Sequence, residues 1–301
     1  MQYILTIITN PAVLLLNDEV INRAIMALER KKGHVENIVF LAPDSAVDIY
    51  FSEIDKLRAE EALASKFEGK AIDFVIQENT AGRRKKLLIS DMDSTIINQE
   101  CIDEIADKLG IKAQVSLITE RAMNGELDFK DALRERVALL VGLPGSVLQD
   151  VYENHITLMS GAKSLVQTMK QHGSHAVLVS GGFTFFTQKI ANDVGFDEQD
   201  ANILEIVDGK LTGKVIEPIL DKEAKLASLY SSIAKLGISI EDSIAVGDGA
   251  NDLPMLKAAG IGVAYHAKPV VQSQVAARIN HTDIKSLLYI QGYKSGEIVN
   301  G

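Results

Sequence analysis

The stretch that most constrains this chain runs from Lys85 to Asp103, KKLLISDMDSTIINQECID. Its apolar run Leu87, Leu88, Ile89 is short and has no polar face, which fits a strand covered on both sides of a parallel sheet. The run stops at Ser90, and Asp91 and Asp93 follow. Open α/β sheets place their chemistry at the carboxyl ends of buried strands, so these two acids are candidates for it. Two later runs end in the same way. His175 to Ser180 (HAVLVS) opens onto Gly181, Gly182 and Phe183, and Ser243 to Val246 opens onto Gly247-Asp248-Gly249-Ala250-Asn251-Asp252.

Ahead of this region lies a smaller unit. Tyr3 to Thr9 reads as a strand and Asp18 to Lys32 as a helix, with Asn17 or Asp18 as its cap and Gly33 as its end. Val35 to Leu41 and Ala46 to Phe51 read as strands around a Pro43-Asp44 turn, Glu53 to Phe67 as a helix and Ala71 to Gln77 as a last strand. The order βαββαβ is that of a ferredoxin-like domain over residues 1–80 and resembles the small regulatory ACT domains. The glycine such domains often carry after the first strand is missing, since Leu14 to Asn17 stands there, so a supporting role is expected rather than effector binding. Thr80 to Lys86, with Gly82 and a basic run, reads as a linker.

After Asp103 the chain turns helical. Ile102 to Leu109, Ala113 to Met123, Phe129 to Val141 and Val147 to Leu158 each carry helical periodicity, broken at Gly110, Asn124-Gly125 and Pro144-Gly145. At about 100° per residue, Phe129, Leu133, Arg136, Val137 and Leu140 share one helix face. A guanidinium on an apolar stripe requires an anion, either a structural carboxylate or a ligand. From Gly161 onward strands and helices alternate, with an Asp208-Gly209 hairpin between Ile203 to Val207 and Leu211 to Val215. The expected architecture is therefore α/β, a Rossmann-like parallel sheet over 85–291 with a helical cap of about 103–160 inserted. Residues 292–301 read as a loose tail.

DMDST, then SGGF, then an isolated lysine, then GDGAND resemble, in order, the motifs of the haloacid dehalogenase superfamily of phosphatases, and within it the phosphoserine phosphatases. The resemblance spans residues 85 to 290. It implies Asp91 as nucleophile, Asp93 as general acid and base, and Mg²⁺ held by Asp91, the Asp93 backbone carbonyl and Asp248, with Asp252 supporting from behind. Lys225, in DKEAK, matches the lysine that neutralises the phosphate, with Lys222 a competitor in the same turn. Ser180 and the amides of Gly181 and Gly182 suit a phosphoryl cradle, because a helix begins immediately after them. Asn251 would hydrogen-bond substrate or orient its loop. Glu100 matches the position that holds a substrate ammonium and Arg136 the one that holds its carboxylate, while Met123 and Phe129 match those that close the pocket.

The expected reaction is Mg²⁺-dependent hydrolysis of phosphoserine to L-serine and phosphate. Phosphothreonine, phosphohomoserine or another small phosphomonoester is the alternative substrate, and a non-catalytic amino-acid sensor the alternative class. Composition sets the surroundings. A net charge of −10 offers no basic patch for nucleic acid or for an anionic membrane surface. No apolar run approaches the ~20 residues that span a bilayer. With one cysteine, Cys101, and no basic segment ahead of MQYILTII, the cytoplasm is expected. The regulatory-like first domain leaves a homodimer open.

Overall fold

Two sheets organise the chain in the computed structural model, which describes residues 1–124 and 126–301, apart from the side chain of Met123. The first is four-stranded and ordered β2-β3-β1-β4. Its strands are β1 (Tyr3–Thr9), β2 (His34–Ala42), β3 (Ala46–Ser52) and β4 (Ile72–Glu78), all pairing antiparallel. Alternation sends Leu5, Ile7, Val47, Ile49 and Phe51 toward helices α1 (Asp18–Arg30) and α2 (Lys56–Phe67), where they bury with Val20, Ala24, Leu28 and Leu63. Asn17 caps α1 by accepting from the Val20 N–H at 3.1 Å, and Asp55 caps α2 through Arg58 at 3.0 Å. The end of α1 differs from expectation: Lys32, not Gly33, takes the left-handed conformation, at φ 68°. Position 33 needs glycine for space, since a Cβ there would lie 2.9 Å from Ile54.

The second sheet has seven strands in the order β11-β10-β9-β5-β6-β7-β8. These are β5 (Leu87–Ser90), β6 (His175–Phe183), β7 (Glu198–Val207), β8 (Lys210–Ile216), β9 (Ser243–Gly247), β10 (Ile261–Tyr265) and β11 (Ala277–Ile279). All neighbours pair parallel except β7 and β8, which form the expected hairpin with Asp208 and Gly209 at φ 50° and 74°. β5 lies between β6 and β9 and is buried along its whole length.

Four helices, α3 (Cys101–Asp107), α4 (Lys112–Met123), α5 (Phe129–Ala138) and α6 (Val147–His155), follow β5 as an insert. The remaining helices are α7 (Ala162–Gln171), α8 (Thr184–Val194), α9 (Lys222–Leu236), α10 (Leu253–Ala258), α11 (Pro269–Gln272) and α12 (Ser286–Ile290). α5 stops short of Val141 because the Gly142 N–H is taken by the Leu211 carbonyl at 2.8 Å, tying the insert to β8. α6 stops short of Leu158 because Leu158 bridges to Ile97 and the Thr157 N–H donates to Gln99.

The segment expected as a linker is clamped. Arg83 makes a two-pronged ion pair with buried Asp48 at 2.6 and 2.8 Å and donates to the Thr6 hydroxyl and the Ile290 and Tyr289 carbonyls. Asp73 on β4 accepts from the N–H groups of Asn280, His281 and Thr282 and from the Thr282 hydroxyl. The first sheet is thus bolted by its second face to the end of the chain. Residues 292–301 are not loose either. Tyr293 is buried beneath Arg84, and the N–H groups of Val299 and Gly301 donate to Thr168 and Ser164 on α7. Among the described residues no helix is long and apolar enough to cross a membrane.

Candidate active site

The site grows from the end of β5. The Asp91 N–H continues the ladder to the Val246 carbonyl at 3.0 Å, and the chain then wraps so tightly that the N–H groups of Thr95, Ile96 and Ile97 all converge on the Met92 carbonyl. This loop turns Asp93 back onto the protein. Its Oδ1 accepts the Cys101 N–H at the start of α3 at 2.9 Å, and its Oδ2 accepts the Ser180 hydroxyl at 3.2 Å. Ser180 Oγ in turn receives the Gly182 N–H at 2.8 Å. A Cβ on Gly182 would lie 2.7 Å from Asp93 Oδ2, so the approach of these two strand ends depends on glycine.

Lys225 stands behind Asp91. It lies one turn into α9, whose N-cap Asp221 fixes its direction, and its fully buried ammonium donates at 2.6 Å to both Asp91 Oδ1 and Asp252 Oδ1. The competitor Lys222 is exposed and pairs with Glu223. Asp252 spends its other oxygen on the Gly249 N–H at 3.0 Å. Oxygens of Asp91, Asp248 and Asp252 all fall within 4.8 Å of one another. Burial, and then the neighbouring Asp252, pushes Asp91 up to about 7. Burial also raises Asp93, and burial with Glu100 drives Asp248 well above the carboxylate range.

Two of the three clustered carboxylates therefore share one ammonium, and the third, Asp248, has a buried Oδ1 with no hydrogen-bond partner among the described residues. An orphaned anionic oxygen in an acidic cluster is the signature of a cation site, and hard oxygen donors suit a hard divalent ion. The residues fit a metal held by Asp91 and Asp248, with Asp252 committed to Lys225 and the loop.

In front of Asp91 is a cavity of about 380 Å³ between the sheet and the insert, lined by Asp93, Glu100, Phe129, Arg136 and Asn251 among others. Arg136 is 6% exposed, and its guanidinium bonds only the Ala132 carbonyl and the Thr119 hydroxyl among the described residues. Of the two partners open to it from sequence, no structural carboxylate pairs with it among the described residues. Glu100, half-buried, accepts from the Ser94 hydroxyl at 2.7 Å; burial, then Asp93, pushes it up to about 8. The Phe129 ring covers Gly181, where a Cβ would meet it at 2.7 Å. Asn251 lines the cavity, its Oδ1 without a hydrogen-bond partner among the described residues. The Met123 side chain lies outside the described residues.

Other members of the site carry no motif. Asn202 on β7, almost fully buried, donates to the Gly181 carbonyl at 2.9 Å and exchanges hydrogen bonds with Leu220, joining the glycine turn to the approach of α9. Lys130 on the insert pairs with Asp221 at 2.7 Å across the cavity mouth. Its strand also carries Glu198, Gln199, Asp200 and Glu205, so no sequence signal singles out Asn202.

A family model for haloacid dehalogenase-like hydrolases matches residues 88–257. The chain is 50% identical over 208 residues to a phosphoserine phosphatase of Polaromonas sp. strain JS666, covering 67% of this chain and 88% of that one. The crystal structure of a haloacid dehalogenase family hydrolase from Salmonella enterica serovar Typhi superposes with a TM-score of 0.83 at 31% identity, covering 96% of this chain and 98% of that one. A substrate-bound phosphoserine phosphatase complex superposes with a TM-score of 0.66 at 40% identity over 68% of this chain and 97% of its own.

Proposed function

Because the chain belongs to the haloacid dehalogenase-like hydrolase family, we propose that it is a Mg²⁺-dependent phosphoserine phosphatase, hydrolysing O-phospho-L-serine to L-serine and phosphate. One observation carries the substrate: the cavity before the Asp91–Lys225 pair is lined by the buried Arg136 guanidinium and by the Glu100 carboxylate, neither ion-paired among the described residues. A zwitterion bearing a phosphate satisfies both, its carboxylate on Arg136 and its ammonium on Glu100. That ammonium would also offset the burial, and then the repulsion from Asp93, that raise Glu100.

Asp91 is the nucleophile under this reading. With Oδ1 held by Lys225, its other oxygen attacks phosphorus as the bond to the serine oxygen breaks, leaving an aspartyl-phosphate. Asp93, whose raised pKa keeps a proton available, gives it to the departing alkoxide and then takes one from the water that attacks the phosphorus of the intermediate. That second displacement frees Asp91 and phosphate. Ser180 and the Gly181–Gly182 turn orient the phosphoryl oxygens, and Lys225 neutralises charge on Asp91 throughout. Mg²⁺, when held by Asp91, Asp248 and the Asp93 carbonyl, offsets the repulsion between carboxylates and a dianionic ester.

In this reading residues 1–80 are a supporting domain, 85–291 the catalytic unit with its cap at about 103–160, and 292–301 a strap over α7. The compartment is the cytoplasm. Acid-quenching the enzyme during turnover of phosphate-labelled substrate tests the mechanism. Label is expected on the wild-type protein and absent from Asp91→Asn; normal turnover by that variant would refute the assignment.

A further inference from the structure

Three helices of the insert meet at one hydroxyl. Thr119 on α4 accepts a hydrogen bond from Arg136 Nη1 of α5 at 2.9 Å. Asp103 on α3 lies within hydrogen-bond distance of the same hydroxyl, Thr119 Oγ1 to Asp103 Oδ1 at 3.1 Å, as does the Val115 carbonyl at 3.1 Å. Asp103 is itself buried, and its second oxygen accepts from Ser116 at 2.5 Å. A hydroxyl has one hydrogen, and with its oxygen occupied by the guanidinium that hydrogen must turn toward Asp103 or Val115.

We infer that Thr119, backed by Asp103, is a positioning residue for substrate specificity: it holds Arg136 in register for the substrate carboxylate without consuming it. The inference rests on the phosphoserine reading above. Its physical basis is a spacing. A buried guanidinium needs a counter-charge, yet an acid paired directly with it would occupy the fork of N–H groups that a ligand carboxylate requires. Asp103 is one hydroxyl removed and forms no direct ion pair with Arg136 among the described residues. It offsets the charge through Thr119 while the rest of the guanidinium lines the cavity. The Nε–H, bonded to the Ala132 carbonyl of its own helix at 3.2 Å, fixes the stem. Arg136 is held from two sides, and its remaining edge is left for the ligand.

The test compares O-phospho-L-serine with O-phosphoethanolamine, which keeps the phosphate and ammonium but lacks the carboxylate. With Mg²⁺ present, Thr119→Val is expected to raise KM for phosphoserine about tenfold, the scale of one hydrogen bond to a charged group. Both constants for phosphoethanolamine should stay near wild type. Thr119→Ser, which keeps the hydroxyl, should restore the phosphoserine KM. Asp103→Asn should move the phosphoserine KM in the same selective direction, and it decides the matter if the valine variant does not fold. Equal loss on both substrates, or an unchanged phosphoserine KM, would overturn the inference. A wild-type enzyme that does not favour phosphoserine over phosphoethanolamine would instead overturn the substrate reading, and this inference with it.

Discussion

Replacing Lys225 by methionine gives the sharpest test of how the site is held together. The ammonium is fully buried and donates at 2.6 Å to both Asp91 and Asp252, and their charges hold it above the ordinary lysine range despite its burial. Removing one partner of a buried ion pair costs about 3–5 kcal/mol, because the remaining charge is left uncompensated. At about 2–4 °C per kcal/mol, the apparent Tm in EDTA at pH 8 should fall by roughly 6–20 °C. The pH dependence follows from linkage. Asp91 titrates near 7 in the folded chain even with the lysine present, above its unfolded value of about 4. Such an acid binds more protons folded than unfolded, so stability rises as pH falls through the folded pKa. Without Lys225 the acids rise further, so the variant gains more than wild type between pH 8 and 5 and its deficit narrows. Thermal unfolding of both proteins across that range measures it. Equal Tm values at pH 8, or a deficit that stays constant down to pH 5, would refute the reasoning.

Three other outcomes are expected. Arg136→Ala should raise KM for phosphoserine at least tenfold while sparing phosphate esters without a carboxylate; equal loss on both would make Arg136 structural. Mg²⁺ should raise the Tm of the wild-type protein, and by more at pH 8 than at pH 5, because protons compete with the cation for Asp91 and Asp248. Asp48→Ala strands the Arg83 guanidinium at the junction of the two sheets and should cost about 3 kcal/mol in denaturant unfolding; a change under about 0.5 kcal/mol would mean that the junction bears no load.

The chemistry of the site was legible because it sits at strand ends. DMDST, SGGF and GDGAND each announce themselves by an apolar run that stops at small or acidic residues, and the sheet order places all of them at adjoining carboxyl ends. Lys225 could be singled out by resemblance, but its separation from Lys222 came only from burial. What was not legible depends on partners far along the chain. Arg83 looked like one charge in a basic linker, yet its partners are Asp48 and the 289–290 carbonyls. Asp73 reads as a polar residue on a strand, but it collects four hydrogen bonds from 280–282. No local periodicity encodes such pairs. The tail was misjudged for the same reason: Tyr293 is polar enough to pass for surface, and only the position of α7 and Arg84 gives it a place to pack.

The central claim is most directly tested by phosphate release with Mg²⁺ from O-phospho-L-serine, O-phospho-L-threonine, phosphohomoserine and a sugar phosphate, compared by kcat/KM. A clear preference for O-phospho-L-serine is the predicted result: a phosphorylated amino acid satisfies Glu100, Arg136 and the phosphoryl site together, as a sugar phosphate cannot, and phosphoserine is the smallest of the three offered. A preference for the sugar phosphate, or no discrimination, would contradict the role given to Glu100 and Arg136.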